Sequence, residues 1–403
     1  MPYIYMQVSI VILILSIFIV VAFEIRHRYD YLEQLPPINL KGDDVNSHAA
    51  YVSDYHGRAK TTNGKRKIMK SIDKDYRDII KGYEYIDGDI RRNKDIVPAA
   101  EWLMDNLYLI EKEYKDIKHN LPEYCYKSLP AINKGLFKGY PRIYHIAMEI
   151  VSHADGKIDE NTIVSFIESY QKQTVLTNAE LWALPNMLRI ALLHNIGSIT
   201  NKIVTVQREK TRADKISDEL INAVNNGVLE EKLNNITSEK IKFTIHFAGR
   251  LLKDLRDNGI EDKSIYDWIE NNLAAIESNS EKIVIVEHQR EIRFQLSMGN
   301  CINSIREVEA LNWSQSFEKL SYMEEILRQD PSGIYSKMDF QSRDYYRHNL
   351  EKMAKKMNLP ESYLAKLCVR CAMDAEDRGE EKEYEKHVGY YIIDDGVNCI
   401  NKK

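Results

Sequence analysis

From Pro98 to Asp374 apolar residues return every three or four positions, and no β-type alternation interrupts them. A helix brings a side chain back to one face every 3.6 residues and a strand every two, so this spacing confines the chain to packed α-helices. Pro98 suits a first helical position, and Leu103, Leu107, Ile110, Tyr114 and Ile117 follow it as one face. Further helices are expected over 142–153, ended by Asp155-Gly156, and after Asp159, which caps a helix burying Ile163, Phe166, Ile167 and Tyr170. The stretch opening at Glu180 is apolar on so much of its surface (Leu188, Ala191, Leu192, Ile196, Ile199) that it belongs at a domain centre. Helices then follow over 218–233, 241–257 and 264–276, and one long helix runs over 281–311. The inner side of that long helix is read as Ile285, Ile292, Leu296, Ile302 and Ile305. Gly299 inside it costs about 1 kcal/mol relative to alanine, which points to close approach of another backbone or to a kink.

The expected fold is therefore all-α, a multi-helix body of packed helix pairs behind one amino-terminal transmembrane helix. Met1 to Phe23 carries no charged side chain, and Met6 to Phe23 is apolar and about long enough to cross a bilayer. Arg26 and Arg28 follow on the carboxyl side only, which places the body in the cytoplasm of a single-pass protein of the cell membrane. Residues 24–97 read as a polar linker with short helices, including a basic run from Arg58 to Lys70. Residues 98–386 read as the all-α domain, with a break between two subdomains near 201–240, and 387–403 as an extended tail. The five cysteines are scattered and odd in number, which suits a reducing compartment. A net charge of -5 with interleaved signs gives no basic footprint, so nucleic acid is not an expected partner.

The costliest charge placement lies in Gln329 to His348, QDPSGIYSKMDFQSRDYYRH. Asp330-Pro331-Ser332-Gly333 has the order of a tight turn, and the helix after it buries Tyr346, Leu350, Met353 and Met357 on the face that also carries Arg343. A buried cation in a first helical turn needs a partner, for which Asp330, Asp339 and Asp344 are nearest in sequence. Glu180 and Arg189 are a second candidate ion pair. Asp339, Arg343 and Arg347, with Gln295 and His288 at the edge of the long helix, are the residues that could line a sugar site. His194 reads as a core or boundary histidine, and Asp87-Gly88-Asp89, which matches a metal-binding DxD, as a turn because no buried strand precedes it. Cys368 and Cys371 form a lone CxxC in a helical run, a weak zinc signal. No metal and no cofactor is assigned.

The stretch from Gln329, together with QLSMGNCINSIREVEALNW from Gln295, resembles the amino-terminal region of cyclic β-1,2-glucan synthases. So do PAAEWLMDNLYLIEKE from Pro98, LPAINKGLFKGYPRIYHIAMEIVSHADGKID from Leu129, LTNAELWALPNMLRIALLHNI from Leu176 and HVGYYIIDDG from His387. The resemblance covers roughly Pro98 to Asp395 and weakens between about Asn201 and Ile241. It implies large membrane enzymes that polymerise glucose from UDP-glucose, with the glycosyltransferase and phosphorylase-like parts beyond the region matched here. The expected function is thus a non-catalytic amino-terminal module of such a system, with the membrane and a membrane glucosyltransferase as partners. The alternatives are the remnant of an interrupted synthase gene and an enzyme domain that handles sugar or UDP-glucose through Asp339, Arg343 and Arg347. No glycine-rich phosphate loop and no nucleophilic triad can be assigned from spacing.

Overall fold

The computed structural model describes residues 43–56, 68–121, 129–133, 137–239, 241–275, 278–378 and 382–400. Its helices in chain order are α1 (Asp43–His56), α2 (Ile68–Ile90), α3 (Pro98–Asn120), α4 (Arg142–His153), α5 (Glu160–Gln171), α6 (Asn178–Asn225), α7 (Leu229–Ser238) and α8 (Ile245–Asp257). After these come α9 (Lys263–Ala274), α10 (Ser280–Ala310), α11 (Trp313–Leu320), α12 (Tyr322–Leu327), α13 (Phe340–Met357), α14 (Glu361–Asp377), α15 (Val388–Ile393) and α16 (Val397–Ile400). Among the described residues the only β-type pairing is an isolated antiparallel bridge between Ala131 and Pro141, so the all-α expectation holds. No helix among them is long and apolar enough to cross a membrane. The run Met6 to Phe23, and the anchor expected there, lies outside the described residues, as does the basic run from Arg58 to Lys67.

The long helix α6 sets the layout. Thr177 caps it, accepting from the Glu180 backbone N–H, while Glu180 reaches back to the Thr177 N–H at 2.9 Å, a reciprocal box that satisfies two otherwise orphaned donors. Over 48 residues, about 72 Å of helix, its first half packs into the main core with α2, α3 and α4. Its second half, from Ala213, enters a separate apolar cluster with α8, α9 and the start of α10. The break sought near 201–240 is therefore a change of core along one uninterrupted helix, and the chain turns only at Asn226–Val228, with Gly227 at φ 72°. A third cluster joins α12, α13, α14, α15 and α16.

The segment read as a linker holds a major core element. In α2 the buried positions are Ile68, Ile72, Asp75, Ile79, Gly82, Ile86 and Asp89, spaced alternately by four and three. Three of these seven are not apolar, which hides the stripe. Asp75 lies 2.9 Å from His194 Nδ1, Asp89 lies 3.3 Å from Lys94 Nζ, and Gly82 lets Thr200 approach where a Cβ would stand 2.3 Å from its methyl carbon. Asp87-Gly88-Asp89 is the last helical turn of α2 rather than a free turn. His194, half-buried against Asp75, stands at the core boundary, one of the two positions expected for it.

Residues 388–400 are helical where an extended tail was expected. Val388, Tyr391 and Ile392 bury one side of α15, and the Val388 N–H donates to Asp330 Oδ1 at 2.8 Å.

The long helix α10 has two apolar faces, and the expected inner side mixed them. At about 100° per residue, Ile283, Met298, Cys301, Ile305 and Val308 share one side and are buried. Ile285, Ile292 and Leu296 lie opposite, 59%, 43% and 58% exposed. Gly299 is held against a side chain, not a backbone: a Cβ there would stand 3.0 Å from the Trp102 indole.

Candidate functional site

Two buried polar clusters stand out, and only one of them contains residues that the sequence singled out. Arg343 and Arg347 are one helical turn apart on α13, both buried. Arg343 donates from Nη2 to both oxygens of Glu318, at 2.7 and 2.9 Å, and from Nε at 3.0 Å, the bidentate geometry that suits a guanidinium. Arg347 donates from Nη1 to Glu324 Oε2 at 2.5 Å and from Nη2 to Asp344 at 3.2 Å, and its guanidinium lies 5.1 Å from the ring centres of Phe317 and Phe340. Burial would depress its pKa, but Tyr335 and Glu324 outweigh that and raise it. The Tyr335 hydroxyl donates to Glu324 at 2.8 Å, and burial with that carboxylate drives its own pKa up.

The partners expected for Arg343 are thus replaced by glutamates of α11 and α12. Asp339 is exposed and caps α13, accepting the Ser342 N–H at 2.7 Å. Asp330 is committed to His387, 2.8 Å away, and to the N–H groups of Tyr335 and Val388. Glu180 and Arg189 do not pair, because nine residues at 100° each set them on opposite sides of α6. Glu180 takes Arg142, at 2.8 and 2.6 Å, and Arg189 takes Glu113 of α3. His288 is exposed and Gln295 half-buried on α10, in the half that carries the exposed stripe, so the five expected sugar-site residues are divided between α10 and α13. Cys368 and Cys371 sit in the third apolar cluster, where burial pushes the Cys368 thiol up to about 12 and away from the thiolate that zinc requires.

The second cluster was missed. Its core is α4, buried at every position but Ser152, which brings His145, Glu149 and His153 to one side at intervals of four. Glu149 Oε2 lies 3.1 Å from His48 Nε2 and 3.1 Å from His153 Nε2, and Oε1 lies 3.0 Å from His145 Nε2. His145 Nδ1 is 2.6 Å from His56 Nε2, and His56 Nδ1 is 2.8 Å from the Tyr170 hydroxyl. An ionised Glu149 only accepts, and this fixes the order of the chain. His145 turns Nε2 to Glu149 Oε1 as an ion-pair contact, and a neutral His145 carrying its proton there accepts at Nδ1 from His56 Nε2–H, which leaves His56 Nδ1 to accept the Tyr170 O–H. Burial, then the neighbouring His145 and Arg142, hold the His56 pKa down at about 3, in keeping with a ring that accepts at Nδ1. For Glu149 burial acts upward, but hydrogen bonds from His145, His153 and His48 outweigh it and hold the carboxyl well below its usual range. Ligand atoms of His48, Glu149 and His153 all lie within 4.8 Å of one another. The visible signal was HIAMEIVSH in a correctly expected helix, but its partners come from α1, inside the supposed linker.

Against known proteins, no family model matches the chain. It is 27% identical over 320 residues to "Cyclic beta-(1,2)-glucan synthase NdvB" of Rhizobium meliloti (strain 1021). This chain resembles part of a cyclic β-1,2-glucan synthase. The match covers 79% of the chain and 11% of the synthase, so the chain spans about a tenth of that relative's length. Both buried clusters draw on the stretches that carried the resemblance: HIAMEIVSH lies in the block from Leu129, and Arg343 and Arg347 in the stretch from Gln329.

Proposed function

We propose that this chain is a non-catalytic helical module of a cyclic β-1,2-glucan synthase system, one that positions or regulates a membrane glucosyltransferase. The observation that carries this reading is the exposed stripe of Ile285, Ile292 and Leu296, which runs about 16 Å along one side of α10. Such a side is a surface for another protein. Because the similar synthase is about nine times longer than the matched part, its remaining parts are the natural occupant. The reading as a sugar-handling enzyme is weaker. Glucosyl transfer from a nucleoside diphosphate needs cations or a metal at the departing diphosphate, and Arg343 and Arg347 are already neutralised by Glu318 and Glu324.

The test supplies purified chain and labelled UDP-glucose with a divalent metal, with and without a synthase lacking the corresponding region. Glucan is expected only in the mixture. Glucan made by the chain alone would refute the non-catalytic role, and no effect on the truncated synthase would refute the positioning role. A double variant, Ile285→Ser with Leu296→Ser, is expected to abolish the stimulation while leaving the helix content of the chain unchanged.

A further inference from the structure

We propose that His48, Glu149 and His153 bind one divalent transition-metal ion of the zinc class, fastening α1 to α4. Two imidazoles and a carboxylate are the donor set that such ions take, and hard oxygen-seeking cations are disfavoured by the two nitrogens. Around an ion with bonds of ~2.0–2.1 Å, neighbouring tetrahedral ligand atoms stand about 3.3 Å apart. The carboxylate oxygen Oε2 lies 3.1 Å from each of the two imidazole nitrogens, so two of the three donor separations are already near that spacing, and the third is within 4.8 Å. The side chains of Glu149 and His153 are 3% and 1% exposed and that of His48 11%, which keeps water from competing for the donors. His145, 3.0 Å from Oε1, holds the carboxylate's other oxygen, the kind of outer contact that orients a ligand bound through one atom. His145 is in turn tied to His56 of α1, so both ends of α1 meet the ligand helix.

One feature limits the affinity. Binding through Nε2 moves the ring proton to Nδ1, and Nδ1 of His153 is buried with no hydrogen-bond partner among the described residues. The ion would therefore leave one N–H unpaired, and it binds more weakly than in structural zinc sites whose ligating histidines donate to an acceptor. Apart from this site, α1 is held by packing on α5, by His56 and by a hydrogen bond between Asn46 and Ser169. A bound ion adds a covalent-strength tie between the body and the helix that joins it to residues 1–42.

The experiment uses the full chain in detergent, stripped with chelator and titrated with zinc by calorimetry and with cobalt(II) by visible absorption. One equivalent is expected to bind. The cobalt complex should show d–d bands without a thiolate charge-transfer band, which separates this site from Cys368 and Cys371. His48→Asn, at the most exposed of the three ligands, and His153→Gln should each lower the affinity by at least ~10–100-fold, the loss usual for a mere outer-shell change. Hydrogen exchange on the unaltered chain gives a readout independent of any variant: zinc should slow exchange in α1 and α4. The proposal is overturned if no stoichiometric binding occurs, if neither variant weakens it, if a thiolate band appears, or if α1 exchange is unmoved by zinc. In those cases the cluster is a hydrogen-bonded chain only.

Discussion

Around Arg343 and Arg347, two guanidinium groups face two carboxylates, Glu324 buried and Glu318 half-buried, whereas around Glu149 a single carboxylate faces three imidazoles with a fourth behind them. In the arginine cluster every carboxylate is matched by at least one guanidinium, Arg328 reaching both Glu318 and Glu324 as well. The histidine cluster has donors in excess of its one anion, and imidazole is a common metal ligand. A closed cluster fixes how α11, α12 and α13 meet. An open one can exist in more than one state of protonation or ligation, and it joins α1, α4 and α5.

The largest effect should come from breaking the closed cluster. Arg347→Ala takes from buried Glu324 its nearest cation and leaves Arg328 at 2.9 Å and Arg343 at 3.3 Å on the other oxygen, so the cost should approach but not exceed the about 3–5 kcal/mol typical of removing one member of a buried pair. Urea unfolding of the chain measures this as a fall in midpoint. A fall no larger than that of a surface variant would mean that water or another cation solvates Glu324, and that the cluster is not closed. Arg343→Ala should behave similarly but less severely, because its main partner Glu318 is 17% exposed where Glu324 is 1%, and water can replace part of the lost contact.

The second effect should distinguish the clusters by pH. The His56 pKa is about 3 in the folded chain against 6.5 as a free side chain, so between those values the unfolded chain binds a proton that the native one refuses. Stability must therefore fall as pH drops below 6.5, by about 2 kcal/mol at pH 5, and the loss continues towards pH 3. Glu149, held low, adds its own loss only below the usual carboxylate range near 4.5. Glu361, pushed by burial up to about 6, acts the other way, since the native chain holds that proton more readily between 4.5 and 6. Comparison with His56→Gln cancels the Glu361 contribution. The variant should lose about 2 kcal/mol less than the parent between pH 7 and pH 5. Equal losses would mean that His56 is protonated in the folded state, where it donates from both nitrogens and the Tyr170 hydroxyl accepts instead of donating.

What the sequence disclosed about these clusters follows from how each is assembled. The arginine cluster is local: Glu318, Glu324, Arg343 and Arg347 lie within 30 residues, so a buried cation on α13 could be anticipated even though its partners were misassigned. Those partners were misassigned because aspartates near a helix start are drawn to cap it, as Asp339 does, and leave the ion pair to other helices. The histidine cluster joins residues 89 and 101 positions apart. Its two halves could be connected only after α1 was recognised as a helix of the body, and a segment rich in polar residues gives little sign of that. In α2 the same obstacle took another form, since Asp75, Gly82 and Asp89 occupy stripe positions where apolar residues would have betrayed the helix. In α10 both faces carry isoleucines, and periodicity does not say which of two apolar faces meets the core. The fold class, by contrast, was legible throughout, because it rests on period alone.

The smallest effect sharpens the comparison by testing where the closed cluster ends. Asp344 is the third carboxylate at Arg347, 3.2 Å from Nη2, but its side chain is 41% exposed while that of Glu324 is 1% exposed. The same guanidinium thus meets one anion in water and one in the interior. In water the attraction is screened and the ion is already solvated, so exposed pairs typically contribute only about 0–1 kcal/mol. Inside, no solvent replaces the lost partner. Asp344→Asn should therefore shift the urea midpoint little, and what shift there is should shrink further in 1 M salt, where the screening length falls to about 3 Å. Arg347→Ala should keep most of its cost in the same salt. If instead Asp344→Asn matched Arg347→Ala and both resisted salt, Asp344 would belong to the buried network. With Arg328 the cluster would then set three cations against three anions, one of them at the surface, and it would no longer be closed within the interior.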